Sequence, residues 1–151
     1  MSRMSFHDEV RIVPCQEEWR KRFRQTKEVI IGILLAQDIE CDVRHVGETA
    51  VPGMCGKPIV DILVMVKSED LLPAVRGLSE EFLCLGECGR AGRWFFSMGD
   101  NEHNAAYIHL TTPDNPVAKD QLAFLQLLQT SPALCKEYAA LKMRLAEKYP
   151  W

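Results

Sequence analysis

Hydrophobic residues recur at helical spacing in the N-terminal part of the chain. Over residues 16 to 36 one stripe is apolar, and the basic side chains fall largely away from it. The apolar stripe consists of Trp19, Phe23, Ile30, Ile33 and Leu34, and the basic residues are Arg20, Lys21, Arg24 and Lys27. This arrangement predicts an amphipathic helix that packs one face on a core. The basic cluster is interpreted as the solvated face of that helix, in preference to a phosphate-binding site.

Short runs of β-branched and aromatic residues between turns predict strands. These strands are expected over 9–13, 41–46, 59–66, 83–86, 93–98 and 105–111. The run at 59–66 is almost continuously apolar, which is typical of a strand covered on both faces. Its period-two alternation puts Asp61 on the same face as Leu63 and Met65. A carboxylate is therefore predicted inside a buried strand, where an unpaired charge is costly.

Three further helices are expected after this strand. Asp70 is predicted to cap a helix over about 71–82, with Pro73 in the first turn, where backbone donors lack helical partners anyway. Two helices end the chain, and in the last one Ser131 is the expected N-cap and Pro132 the first helical residue. The apolar stripe of that last helix is Leu134, Tyr138, Leu141 and Leu145.

The composition is that of an ordinary globular protein. The chain has 151 residues, 47% of them hydrophobic and 26% charged, and neither an internal repeat nor a linker divides it, so a single domain over residues 1–151 is expected. A formal net charge of −3 argues against duplex nucleic acid as the main partner. The N-terminal residues contain no apolar h-region, and no apolar run is long enough to span a bilayer. A cytoplasmic protein without a membrane partner is therefore expected.

A turn-rich segment precedes the buried strand. Residues 47–58 contain three glycines and two prolines, which exclude a regular helix there. An aspartate just after such a loop is either neutralised by a partner or left ionised to hold a cation. The candidate partners are Lys57 and His45, which are close in sequence, and Tyr107 and His109, which share one face of the last predicted strand. Both interpretations remain open at this level.

The same segment resembles the signature of the GrpB family. Residues 45–64 read HVGETAVPGMCGKPIVDILV, beside the family pattern H-[IV]-G-S-T-[AS]-V-P-G-x-x-[AG]-K-P-I-[IV]-D-[IL]. Flanking positions are similar as well, namely Trp19 and Phe23, the run from Arg93 to Phe96, His109-Leu110, Ser131-Pro132 and the segment Glu137–Lys142. The resemblance extends over about residues 10–149, which is nearly the whole chain.

The resemblance implies a polymerase-beta-like nucleotidyltransferase fold of the α+β class, with a mixed sheet flanked by helices. Such enzymes bind a nucleoside triphosphate on a glycine turn, and a divalent cation (Mg²⁺ or Mn²⁺) on carboxylates of a later strand. The mapping makes Asp61 the catalytic metal carboxylate, and it makes Gly47 and Thr49 the residues that shape the phosphate turn. The implied phosphate contacts are Lys57, Arg90 and Arg93.

Three positions depart from the expected pattern. Leu63 stands where the superfamily has its second carboxylate. His109 lies on the strand that would bring a third carboxylate, so it is a candidate catalytic residue, either as a metal ligand or as a proton-transfer group. Glu48 replaces the serine of the family pattern. It either supplies a metal ligand within the nucleotide-binding turn or marks a site that has lost nucleotide binding.

The activity that the resemblance implies is transfer of a nucleoside monophosphate from a nucleoside triphosphate to a small-molecule acceptor, with pyrophosphate leaving. One alternative is a catalytically degenerate module that still binds a nucleotide or another ligand. A second alternative is an ATP-dependent enzyme that activates a carboxylate for amide formation. These alternatives stay open because one fold can host several functions. The expected partners are a nucleotide and a small acceptor.

Overall fold

Four α-helices and five strands make up the part of the chain that the structure, a computed structural model, describes: residues 17–51, 59–99 and 105–148. In chain order the elements are α1 (Glu17–Leu35), β1 (Asp42–Val46), β2 (Val60–Met65), α2 (Leu71–Ser79), β3 (Leu83–Cys84), β4 (Trp94–Met98), β5 (Ala106–Thr111), α3 (Pro116–Thr130) and α4 (Pro132–Lys148). Two 3₁₀ turns, Glu48–Ala50 and Ser68–Asp70, follow β1 and precede α2. The strand predicted over 9–13 lies outside the described residues.

The strands form one mixed sheet in the order β1-β2-β5-β4-β3. β2 and β5 run parallel, whereas β1 is antiparallel to β2, and β4 is antiparallel to both β5 and β3. The predicted α+β fold with a mixed sheet flanked by helices is confirmed. The parallel pairing places Asp61 in register with Tyr107, and Leu63 in register with His109.

Helices cover β2 on both faces, as its apolar run predicts. On one face Val60, Ile62 and Val64 are fully buried in the main core, which α1 and α2 complete. On the other face Leu63 and Met65 pack beneath side chains of α3. The cover is incomplete at the start of β2, and the side chain of Asp61 there keeps 30% of its surface exposed. The carboxylate therefore sits at the boundary of the core.

The predicted amphipathic helix is confirmed as α1. Trp19, Ile30 and Leu34 are buried in the main core, and Phe23 and Ile33 pack partly buried against it. Arg20, Lys21 and Arg24 are exposed and Lys27 is half-buried. Helical periodicity identified the buried face of α1 because a single apolar stripe is present.

The capping role predicted for Asp70 is wrong, although α2 begins where expected. The 3₁₀ turn just before α2 puts Asp70 at φ −94° and ψ −7°, and its side chain makes no capping hydrogen bond. An N-cap needs extended backbone so that the side chain can reach back to the free amides of the first turn. The helical backbone of Asp70 removes that geometry. α2 also ends at Ser79, three residues before the predicted end at 82.

The start of α4 is confirmed, but the second half of its predicted stripe is wrong. Ser131 Oγ accepts a hydrogen bond from the Leu134 amide, and Pro132 is the first helical residue. Leu141 and Leu145, however, are 45% and 46% exposed. Tyr138 shares the covered side of α4 with Cys135 and Ala139, which pack near Val51 and Leu128. The helix carries several apolar rows, and contact with α3 selects a different one from Leu141 and Leu145.

Within the described residues, no helix combines the length and the apolar character that crossing a bilayer requires.

Leu63 of β2 is fully buried whereas Leu141 of α4 is 45% exposed. This contrast predicts that the two side chains contribute differently to stability. Leu63→Ala leaves a cavity at a fully buried position of β2 and should lower the free energy of unfolding by about 2–5 kcal/mol. Leu141→Ala should change it by no more than about 0.5 kcal/mol, because that side chain is exposed. Urea unfolding of both variants measures the contrast. A loss of several kcal/mol for Leu141→Ala would contradict the orientation of α4.

Candidate functional site

A cavity of about 280 Å³ opens where β1 ends and where β2 and β5 begin. It is lined by Glu48, Ile59, Asp61, Tyr107 and Lys142. The parallel register of β2 and β5 brings Asp61 beside Tyr107, and the 3₁₀ turn after β1 brings Glu48. Lys142 reaches the cavity from α4, so sequence segments almost a hundred residues apart form one site.

Gly47 lies directly against the Asp61 carboxylate. Its backbone has φ +75° and ψ −176°, a combination that only glycine adopts without strain. A Cβ at this position would lie 2.8 Å from Asp61 Oδ2. The turn thus needs glycine for its backbone conformation and also for the space that the carboxylate occupies.

Asp61, His109 and Arg93 form a hydrogen-bonded chain beneath the cavity. His109 Nε2 lies 3.3 Å from Asp61 Oδ1, and His109 Nδ1 lies 3.0 Å from Arg93 Nη1. Arg93 Nη2 donates to the Glu87 carbonyl oxygen at 3.2 Å, and the guanidinium lies 5.1 Å from the Phe95 ring centroid. Burial lowers the pKa of the Arg93 guanidinium, but arginine stays protonated in proteins.

Glu48 is paired with Lys142 across the cavity. The Lys142 ammonium contacts Glu48 Oε1, and both side chains are largely covered, at 15% and 16% exposure. Lys142 Nζ also lies 5.7 Å from the Tyr138 ring centroid, within range of a cation–π interaction. Burial raises the pKa of the Tyr138 phenol, and the Glu48 and Asp61 carboxylates raise it further, against an opposing effect of Lys142. One face of α4 therefore belongs to the site.

Thr49 is hydrogen-bonded to His45 of β1 and is not among the residues that line the cavity. Its hydroxyl lies 2.8 Å from His45 Nε2, and the side chain is buried. The His45 ring stacks on Phe23 of α1, with ring centroids 4.8 Å apart. Burial lowers the pKa of His45 to about 4, and the positive charge of Arg20 contributes to the shift. Thr49 thus anchors the turn to β1, and the His45 ring in turn packs on α1.

The two arginines expected to contact phosphate, Arg90 and Arg93, are not among the residues that line the cavity. Arg90 is exposed on the turn before β4. Arg93 is 9% exposed, its Nη atoms are bonded to His109 and Glu87, and its Nε is buried without a partner in the described part of the chain. Lys57 lies outside the described residues.

Sequence reasoning missed Lys142 as a site residue and assigned Tyr138 only to the apolar stripe of the last helix. Both are on the covered side of α4, one helical turn apart, and they lie in the segment Glu137–Lys142 that resembles the GrpB family. The resemblance of this segment to the family was the signal in the sequence that pointed to these two residues. Tyr107 was noted only as a neighbour of His109 on one strand face, and the register with Asp61 gives it a place in the lining.

Asp61 and Glu48 are the residues of the cavity that would hold a divalent cation. Among the described residues, no group of three or more His, Cys, Asp or Glu side chains is arranged to hold a metal ion. Mg²⁺, however, is usually held by one or two carboxylates together with water and substrate phosphates. Asp61 and Glu48 meet that requirement for one cation, whereas the buried Leu63 removes the carboxylate that a second cation would need.

The chain is similar to a known protein family and to a bacterial relative. A family model described as "GrpB protein" matches residues 9–151. The UPF0157 protein YqkA of Bacillus subtilis is 33% identical, over 93% of this chain and 41% of its own length. The chain thus spans less than half of that relative.

Two solved structures share the fold. The crystal structure of the conserved protein GrpB from Enterococcus faecalis matches with a TM-score of 0.80 and 27% identity, over 93% of this chain and 85% of that one. The Cid1 poly(U) polymerase matches with a TM-score of 0.54 and 15% identity, over 89% of this chain and 43% of that one. At that identity the second likeness concerns the fold alone.

Substitution of Gly47 tests the close contact with Asp61. Gly47→Ala should lower the free energy of unfolding by roughly 1–3 kcal/mol from backbone strain, and by more if the new Cβ cannot avoid Asp61 Oδ2. Gly89→Ala is the control for a positive φ, because Gly89 has φ +77° but a Cβ there would meet no atom within 4 Å beyond its chain neighbours. Chemical unfolding compares the two. Equal losses would contradict a steric contribution from Asp61.

The lowered pKa of His45 predicts a pH-dependent stability. Between about pH 6.5 and 4 the unfolded chain binds a proton at His45 and the folded chain does not, so stability falls as the pH is lowered through this window. The slope is at most about 1.4 kcal/mol per pH unit. His45→Gln removes the titrating group and should flatten the curve of unfolding free energy against pH. An unchanged slope in that variant would contradict the assignment.

Proposed function

The chain belongs to the GrpB family, and on that premise we propose that it is a metal-dependent nucleotidyltransferase that moves a nucleoside monophosphate from a nucleoside triphosphate to a small-molecule acceptor. The observation that carries the proposal is the cavity in which Asp61 and Glu48 face Lys142. The shared fold with the Cid1 poly(U) polymerase, described as bound to Mg and 3'-dATP, supports the choice of substrate class.

The charge of the cavity explains why a cation is required. Its lining carries two carboxylates and one ammonium, which leaves an excess of one negative charge when all three are ionised. A triphosphate alone is repelled by this lining, because charges of like sign are poorly screened in a partly enclosed site. One Mg²⁺ or Mn²⁺ on Asp61 and Glu48 reverses the sign of the cavity. When bound, the cation polarises a phosphoryl oxygen and neutralises charge that develops on it.

Lys142 has a second role in this proposal. Its ammonium pairs with Glu48 in the structure, and a lysine ammonium is a compact cation that also binds phosphate. In this proposal Lys142 would bind a phosphate oxygen of the triphosphate, and Glu48 would be left to hold the cation together with Asp61. Lys142 would thus take the phosphate-binding role that the resemblance implies for Arg93.

A nucleotide-binding module without catalysis is the second candidate. Leu63 favours it, because this fully buried side chain occupies the position of the second carboxylate. In that case the same cavity binds the nucleotide and its cation, but no transfer follows. The two candidates share the binding step and differ in whether pyrophosphate is released.

Thermal unfolding tests the binding step. The unmodified chain is measured with ATP, GTP, CTP or UTP, each with Mg²⁺, with Mn²⁺ and with a chelator. A ligand at a hundred times its dissociation constant adds about 2.7 kcal/mol to the unfolding free energy, which corresponds to a rise of roughly 5–11 °C in the midpoint for a chain of this length. The rise should require the cation and should be lost in Asp61→Asn and reduced in Lys142→Met. Lys136→Met, at an exposed lysine of the same helix, is the control.

A pyrophosphate-release assay over a panel of small acceptors tests the transfer step. Release that requires the cation and is lost in Asp61→Asn is the expected result. A cation-dependent thermal shift without release would favour the binding module. A nucleotide shift that survives both Asp61→Asn and Lys142→Met would place the nucleotide elsewhere and contradict the proposal.

A further inference from the structure

The hydrogen bonds of His109 determine which of its ring nitrogens carries the proton. The Arg93 guanidinium has only N–H donors, so His109 Nδ1, at 3.0 Å from Arg93 Nη1, accepts. The neutral imidazole then carries its proton on Nε2. That N–H points at Asp61 Oδ1, 3.3 Å away, and donates to it.

From this chain of contacts we infer that His109 is a positioning residue that holds the Asp61 carboxylate, and that it is neither a metal ligand nor a proton-transfer group. The inference rests on the proposed function for the role of Asp61, and it assigns the part played by His109. A ligand or a base needs a free lone pair, and both nitrogens are already committed to neighbours. The bond to Oδ1 fixes the carboxylate, while Oδ2 lies toward Gly47 at the edge of the cavity.

Arg93 fixes His109 in this orientation. Besides its bond to His109, the guanidinium donates to the Glu87 carbonyl oxygen and lies over the Phe95 ring. The β4–β5 register puts Phe95 opposite His109, with ring centroids 5.3 Å apart. His109 is 8% exposed, so water has little access to replace either bond. If the imidazole carried its proton on Nδ1 instead, that N–H would face the N–H of Arg93. The buried Arg93 donor would then lose its acceptor.

The tautomer can be measured on the unmodified chain without any nucleotide. Nitrogen-15 NMR distinguishes the two ring nitrogens of a neutral histidine, and at neutral pH His109 should carry its proton on Nε2 alone. A proton on Nδ1, or on both nitrogens, would overturn the inference. Because this measurement needs neither metal nor substrate, it tests the hydrogen-bond assignment of His109 even if the proposed nucleotidyl transfer fails.

Two substitutions separate positioning from the other roles. Glutamine places an amide N–H near the position of histidine Nε2, so His109→Gln keeps a donor to Asp61. Asparagine is one methylene shorter, so His109→Asn can accept from Arg93 but does not reach Asp61. With Mn²⁺ and ATP as the probe, His109→Asn should weaken binding by about 10–100-fold, as loss of a residue behind a metal ligand does, and His109→Gln should restore most of it.

Equal losses in the two variants would overturn the inference, because a ligand or base is not replaced by a glutamine amide that cannot take up a proton. Retention of full affinity in both variants would overturn it too, because Asp61 would then need no positioning. Unfolding midpoints of both variants set a temperature at which each is folded.

If the unmodified chain binds no Mn²⁺ with ATP, the proposed function fails, and the carbon-13 shift of the Asp61 carboxyl replaces affinity as the readout. It should change in His109→Asn and stay close to that of the unmodified chain in His109→Gln.

Discussion

A carboxylate on a largely buried central strand must be satisfied by its neighbours, and the site is organised around the way Asp61 meets this constraint. The strand β2 is apolar apart from Asp61 and is covered by helices on both faces. The parallel pairing with β5 supplies a donor from His109, and the turn after β1 approaches the other oxygen so closely that only glycine fits at position 47. An unsatisfied carboxylate here would cost several kcal/mol. The Asp61 side chain thus links the glycine turn, the neighbouring strand β5 and, through His109, the buried Arg93.

The second half of the site depends on α4, whose packing differs from that of the sheet. None of its described residues is fully buried, and several of its apolar side chains are exposed. Its covered side nevertheless delivers Lys142 to Glu48 and places Tyr138 beside Lys142. Such a helix is held by few buried contacts, so the ion pair contributes to where α4 sits. The charge that neutralises Glu48 in the structure is the same charge that can meet a phosphate in the proposed function.

Much of the fold could be predicted from the sequence because the relevant patterns have only one interpretation. The apolar run of β2, the stripe of α1 and the Ser131-Pro132 start of α4 each match a single local structure. Predictions were wrong where two patterns competed. Asp70 has the chemistry of an N-cap, but a preceding 3₁₀ turn sets its backbone. Leu141 and Leu145 continue an apolar row, but α3 covers a different row of α4. Local sequence does not record which face a neighbouring helix will cover.

The sequence by itself determined that Asp61 follows a glycine-rich turn on a buried strand, and it placed His109 and Tyr107 on one face of a second strand. It also carried the resemblance that fixes the family. Tertiary structure alone decided that Arg93 lies behind His109, that Thr49 bonds to His45, and that Lys142 pairs with Glu48. The physical reason is the range of the interactions. Periodicity and turn chemistry act over a few residues, whereas a hydrogen bond or an ion pair between Glu48 and Lys142 depends on where the sheet and α4 place atoms that are remote in sequence.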